Sequence, residues 1–134
     1  MKYLLDTCVV SDFVRGDAPT LARLKATSPE RIVLSVVTVM VIEYGLALDR
    51  VRTRKIEAPL RALMANVEVL PYTEVEARAT AALRAALRRR GHPIGPYDVQ
   101  IAGTALARGH TLVTSNTREF ARVQGLLLED WRKP

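Results

Sequence analysis

Short apolar runs alternate with amphipathic stretches along this 134-residue chain. The first run, residues 2–5, ends at Asp6 and reads as a buried strand, and a helix over 8–15 follows until Gly16 stops it. A second helix over 19–26 leads through Ser28 and Pro29 to "RIVLSVV", whose β-branched residues predict another fully buried strand. Thr38 is the expected start of a helix that runs to Leu48. Beyond a basic segment with Arg50, Arg52, Arg54 and Lys55, a helix is expected over 58–66, then a third strand in "VEVLPY". The most regular helix spans 73–90, with Val75, Ala79, Ala82, Leu83 and Ala86 on one face and Gly91 as its stop. Helices over 96–108 and 117–122, a fourth strand "TLVT" and a last edge strand "GLLLEDW" complete the pattern.

Strands alternating with helices require crossover connections, so the expected fold is α/β: a three-layer α/β/α sandwich around a mainly parallel sheet. The length suits a single domain over residues 1–134. Such sheets bind ligands outside the carboxyl ends of their strands, so the residues just after strands are the candidates for chemistry.

Composition narrows the function classes. Hydrophobic residues at 49% and charged residues at 25% are the balance of a globular protein, and the apolar runs are too short for a bilayer span. Asp6 interrupts the N-terminal apolar stretch too early for a signal peptide, so the expected location is the cytoplasm. One cysteine, Cys8, excludes an internal disulfide, and the separated His92 and His110 offer no zinc spacing. A metal in this chain must be held by oxygen. Twenty basic against 14 acidic residues give a net charge of +6, which favours an anionic partner such as nucleic acid. No glycine-rich phosphate loop follows the first strand, which argues against a nucleotide-binding regulator.

Asp6 follows the first strand, Asn116 follows the fourth, and Asp98 heads the helix that opens after Gly95 and Pro96. Two carboxylates about 4 Å apart repel by a few kcal/mol at an intermediate dielectric, and a hard divalent cation between them relieves the repulsion. Mg²⁺, or Mn²⁺, suits that pair and activates a water for attack on a phosphodiester. Each residue also has a local reading: Asp6 as a helix cap, Asp98 as an acid at the positive end of a helix dipole, Asn116 with Glu119 at capping-box spacing. Cys8 reads as a small buried neighbour of the site, and Asp12 and Glu43 as solvated helix charges. Arg88, Arg89 and Arg90 precede the Asp98 loop, either as a solvated helix end or as contacts to an RNA backbone.

The stretches "MKYLLDTCVVSDFVRG", "LSVVTVMVIEYGLAL", "RRRGHPIGPYDVQIAGTALARG" and "TLVTSNTREFARVQGLLLEDW" resemble, in order and spacing, the PIN-domain toxins of the VapC type over nearly the whole chain. The resemblance implies a PIN fold and a Mg²⁺-dependent endoribonuclease that cuts RNA, often transfer RNA. It further implies a homodimer and a VapB antitoxin that occupies the active site. By position Asp6 and Asp98 match the family's metal-ligating aspartates, and Asn116 matches a fourth polar site position.

Two departures stand out. The family carries a glutamate three residues after the threonine of "SVVT", and here that place is Val41. Glu43 lies two residues on, a helical rotation of about 200°, so it is expected to face away from the direction of residue 41. Val41 marks either a toxin that works with fewer carboxylates or an inactivating change. Cys8 stands where the family commonly has asparagine, which removes a polar group beside the metal.

Overall fold

The computed structural model describes residues 2–133. Five short strands, β1 (Tyr3–Leu5), β2 (Ile32–Ser35), β3 (Glu68–Leu70), β4 (Thr111–Val113) and β5 (Leu128–Glu129), form one sheet in the order β3-β2-β1-β4-β5. Every neighbouring pair is parallel, with Leu4 of β1 opposite Val33 on one side and Leu112 on the other. The helices are α1 (Thr7–Val14), α2 (Ala18–Ala26), α3 (Val36–Leu48), α4 (Arg50–Asn66), α5 (Glu74–Arg89), α6 (Pro96–Arg108) and the single turn α7 (Thr117–Phe120).

Alternate residues of the strands face opposite sides and build two cores. Leu4, Val33 and Leu112 pack with Leu83 and Leu87 of α5 and Ile101, Ala102 and Ala105 of α6. Leu5, Leu34 and Val113 pack with Val9 and Val10 of α1, Ile42 and Leu46 of α3, Leu60 of α4 and Trp131. This is the expected three-layer α/β/α arrangement. Among the described residues no helix is long and apolar enough to cross a membrane.

Three expectations are corrected. Helix α3 begins at Val36 because Ser35, at the end of β2, already caps it by accepting from the Val37 amide at 3.0 Å. Thr38 therefore lies inside the first turn. The basic segment is helical as well: α4 starts at Arg50 under an Asp49 cap, well before the expected start at residue 58, and Pro59 sits in its interior. The buried stripe of α5 is Glu76, Thr80, Leu83 and Leu87, so Val75 and Ala82 turn outward.

Candidate active site

The carboxyl ends of β1 and β4 lie side by side, locked where the Asp6 amide donates to the Val113 carbonyl at 2.9 Å. Asp6 is 5% exposed and has two roles. One oxygen caps α1, accepting from the Thr7 amide at 2.8 Å. The other accepts from the Thr114 hydroxyl at 2.9 Å and the Cys8 thiol at 3.4 Å. The capping and site readings of Asp6 are thus compatible, because its two oxygens divide the work.

Asp98 enters from the first turn of α6, which starts at Gly95 with Pro96 in the first positions. The Gly95 amide donates to Oε1 of Glu119 at 3.2 Å, and Glu119 exchanges a hydrogen bond with Asp98. A hydrogen bond between two carboxyl groups needs a proton on one of them. Asp98 holds it: burial, the Glu119 bond and the charges of Asp6 and Glu119 push its carboxyl up to about 7. Burial also acts on Glu119, but hydrogen bonds from Asn116, Asp98 and the Gly95 amide outweigh it and keep that carboxyl below its usual range.

Asn116 stands at the N-cap position of α7 without capping it. Its Nδ2 donates instead to Oε2 of Glu119 at 3.0 Å, and its amide donates to the Thr114 hydroxyl at 3.0 Å. Asp6, Asp98 and Asn116 are therefore brought to one sheet edge: Glu119 links Asp98 to Asn116, and the Thr114 hydroxyl links Asn116 to Asp6. The sequence reading assigned Glu119 to a cap because its spacing from Asn116 fits a capping box. The available signal was Glu119 itself, the first carboxylate after the fourth strand and one helical turn beyond Asn116.

Among the described residues no three His, Cys, Asp or Glu side chains stand close enough to close a metal cage. The donor set nonetheless suits a hard divalent cation that keeps much of its water: it is all oxygen on the acidic side, and a cation there would offset both the burial of Asp98 and its repulsion from Asp6 and Glu119. Cys8 is half-buried against Thr114 and the Ser115 amide, and burial followed by the Asp6 charge pushes its thiol up, so it is a neutral neighbour as expected.

Val41 is half-buried and lines a cavity of about 270 Å³ between α1, α3 and α4, with Thr7, Val10 and Ser11 across from it. Glu43 faces elsewhere, paired with Arg61 of α4 at 2.5 Å, as its helical rotation predicts. Asp12 is a correction: it is buried rather than solvated, and Arg15 pairs with it at 2.7 Å. The three arginines diverge. Arg88 borders a groove beside α6, Arg89 is exposed, and Arg90 donates to the Arg122 carbonyl at 2.8 Å, which ties the end of α5 to the turn after α7. Arg132 was not singled out from the sequence. Asp130 holds it at 3.3 Å, and its Nη2 lies 3.4 Å from the Ser115 carbonyl at the rim of the site.

The "LEDW" stretch is architectural. Trp131 is buried edge-on against Tyr3, with Arg23 stacked over its indole and Glu129 accepting from its Nε1 at 3.0 Å.

The chain matches the PIN domain family model over residues 3–126. It is 35% identical to the tRNA(fMet)-specific endonuclease VapC of Shigella flexneri and 32% identical to ribonuclease VapC2 of Haemophilus influenzae, each match covering 98% of both chains. Its fold superposes on the DNA-bound VapBC structure from Salmonella typhimurium with a TM-score of 0.89, at 35% identity and 98% coverage of each chain. A parallel sheet that gathers Asp6, Asp98, Glu119 and Asn116 at one edge, matched end to end by these relatives, places the chain in the PIN-domain family, among the VapC ribonucleases.

Proposed function

We propose that this chain is the toxin of a VapBC-type pair, an endoribonuclease that hydrolyses a phosphodiester of transfer RNA with Mg²⁺ or Mn²⁺ as cofactor. The observation that carries the reading is geometric: the carboxyl ends of β1 and β4 bring Asp6 beside Thr114 and Asn116, and Asn116 and the Gly95 amide hold Glu119 against Asp98. Asp6 and Asp98 are the metal ligands in this reading, and Glu119 extends the set. A bound divalent cation supplies a water acidified enough to attack phosphorus and neutralises charge on the phosphate. Asn116 fixes the Glu119 carboxylate, and Thr114 and the Thr7 amide fix that of Asp6, so the acids are oriented before substrate arrives. The relatives named for cleavage of tRNA(fMet) and the VapBC complexes support transfer RNA as substrate, a VapB-type antitoxin as partner and a cytoplasmic site of action.

A homodimer belongs to the same reading. It is supported by Val36, Met40, Tyr44 and Leu48, apolar residues at i, i+4 spacing along α3 that are 41–70% exposed. A second reading, a protein that binds RNA or antitoxin without cutting, is favoured by Val41, which offers no ligand where the family has a glutamate.

Incubation of the purified chain with total transfer RNA, with Mg²⁺, with Mn²⁺ and with chelator, tests the proposal. Discrete new ends that need the metal and vanish in Asp6→Asn are expected. Intact RNA in the presence of either metal, with retained RNA binding, selects the second reading.

A further inference from the structure

Beside the acidic edge, α5 and the start of α6 enclose a groove of about 470 Å³. Its floor and walls are Leu87, Pro93, Ile94, Pro96 and Val99, and its lip carries Arg84 and Arg88. Pro96 and Val99 line the groove from the first turn of α6, and Asp98 points from the other side of that turn toward Gly95 and Glu119, so the groove and the acidic site lie on either side of one helix start. Arg84 and Arg88 are one helical turn apart, both exposed, and among the described residues neither has an acidic partner. Arg78, Arg61 and Arg23 are neutralised by Glu74, Glu43 with Glu57, and Glu129, whereas among the described residues Arg84 and Arg88, like Arg52 and Arg54 of α4, are not; what sets Arg84 and Arg88 apart is the groove they border. Two uncompensated guanidinium groups over an apolar, proline-walled floor match a molecule with a flat apolar body and an anionic edge, the two halves of a nucleotide.

We infer that this groove is a nucleotide subsite that holds one unpaired residue of the RNA next to the scissile phosphate, with its base against Ile94, Pro93 and Pro96 and its backbone phosphate on Arg84 and Arg88. The inference rests on the RNA-cleaving reading above and adds to it a substrate requirement: the strand must be single and flexible where it leaves the acidic edge. A base in a regular A-form helix is stacked on its neighbours and cannot enter such a groove. Loops and unpaired ends are therefore the segments this chain selects.

The test is binding of a short fluorescent single-stranded RNA to the full chain in chelator, where no cutting occurs. Arg84→Gln with Arg88→Gln should weaken binding and reduce the slope of log Kd against log salt by about 1.4, two contacts at roughly 0.7 each for a single strand. Replacing one nucleotide at a time by an abasic residue should reveal one position that costs at least about fivefold in affinity in the parent and little in the double variant. Arg52→Gln with Arg54→Gln, on α4 across the sheet, removes the same net charge and should leave that position dependence intact. Equal effects of the two pairs, or an abasic series without a sensitive position, overturn the inference. So does a double variant that binds RNA like the parent but loses affinity for the antitoxin, which would make the groove a protein-docking surface. If the parent cuts RNA with metal while the groove variants behave as the parent, only the subsite fails. If the parent neither binds nor cuts RNA, the underlying reading fails with it.

Discussion

The carboxyl of Asp98 is where burial and neighbouring charge act most strongly on one group, and its behaviour is directly measurable. A carboxyl whose folded pKa is raised contributes its stability fully at acid pH, loses it as pH climbs through about 7, and above that holds an unfavourable charge. In metal-free protein, Asp98→Asn should therefore melt higher than the parent at about pH 8, and the gap should close below about pH 5. Saturating Mg²⁺ should reverse the order, since it stabilises only a chain that binds it, and calorimetry should show no Mg²⁺ binding by the variant. A variant that binds metal like the parent would remove Asp98 from the ligand set. Val41 is the other decisive residue. Val41→Glu should raise metal affinity and nuclease activity, by up to about 100-fold if the added acid fixes the cation's position, and should increase toxicity in cells lacking antitoxin. Glu43→Gln should leave activity unchanged, because Glu43 is held by Arg61 on the outer face. An inactive Glu43→Gln beside an unimproved Val41→Glu would make Glu43 the working acid.

At the scale of elements, α5 and α6 form the tightest junction. A Cβ on Gly103 of α6 would lie 2.1 Å from the Thr80 hydroxyl and 2.9 Å from the Thr80 Cα. Gly103→Ala should cost about 1–3 kcal/mol or more in denaturant unfolding, and adding Thr80→Ala should recover only part of it, because the backbone contact remains. The same helix pair buries a charge. Glu76 is fully buried, accepts from the Thr73 amide at 2.7 Å and hydroxyl at 2.6 Å, and pairs with Arg108 at 2.7 Å. Burial pushes its carboxyl up, but the Thr73 bonds and the Arg108 charge outweigh that and hold it below the usual range. A lowered folded pKa gives stability that is present above the unfolded value near 4.3 and is lost as pH falls through the folded one. Glu76→Gln should accordingly be less stable than the parent at neutral pH and less sensitive to acid below about pH 5, read from thermal melts across pH.

Across the whole molecule, the C-terminal segment closes the sheet. Trp131 fills the core under β1, and with Arg23 and Glu129 it ties that segment to α2. Trp131→Ala should cost roughly 3–5 kcal/mol and loosen the β4–β5 edge, giving faster amide exchange at Leu112 and Thr114, whose amides donate to Leu127 and Glu129. The α3 stripe has a matching test in solution: Met40→Glu with Tyr44→Glu, both exposed, should leave a folded monomer in sedimentation where the parent is a dimer. A parent that sediments as a monomer would remove the dimer from the proposal.

Periodicity and residue type alone determined much of this protein. Three apolar runs became the inner parallel strands β1, β2 and β4, because a strand covered on both faces must be apolar throughout, the more polar "VEVLPY" became the edge strand β3, and Asp6 and Asp98 were legible as acids at strand-end and helix-start positions. Local signals misled where two elements compete for one residue. Ser35 ends a strand and also caps a helix, and the basic segment before residue 58 joins α4 under the Asp49 cap. Only the tertiary structure decided which side chains meet. Glu119 and Asn116 have the spacing of a capping box, but the Gly95 amide and Asp98, from a loop and helix more than 20 residues away, draw Glu119 into the acidic edge. Arg84 is an ordinary helix arginine in sequence and becomes the rim of a groove once the 93–96 loop folds beside α5. Sequence pattern fixes what each segment buries, because that is a local property of side chains. The partners of a polar group are set by crossovers that bring distant strand ends together, and no local period encodes them.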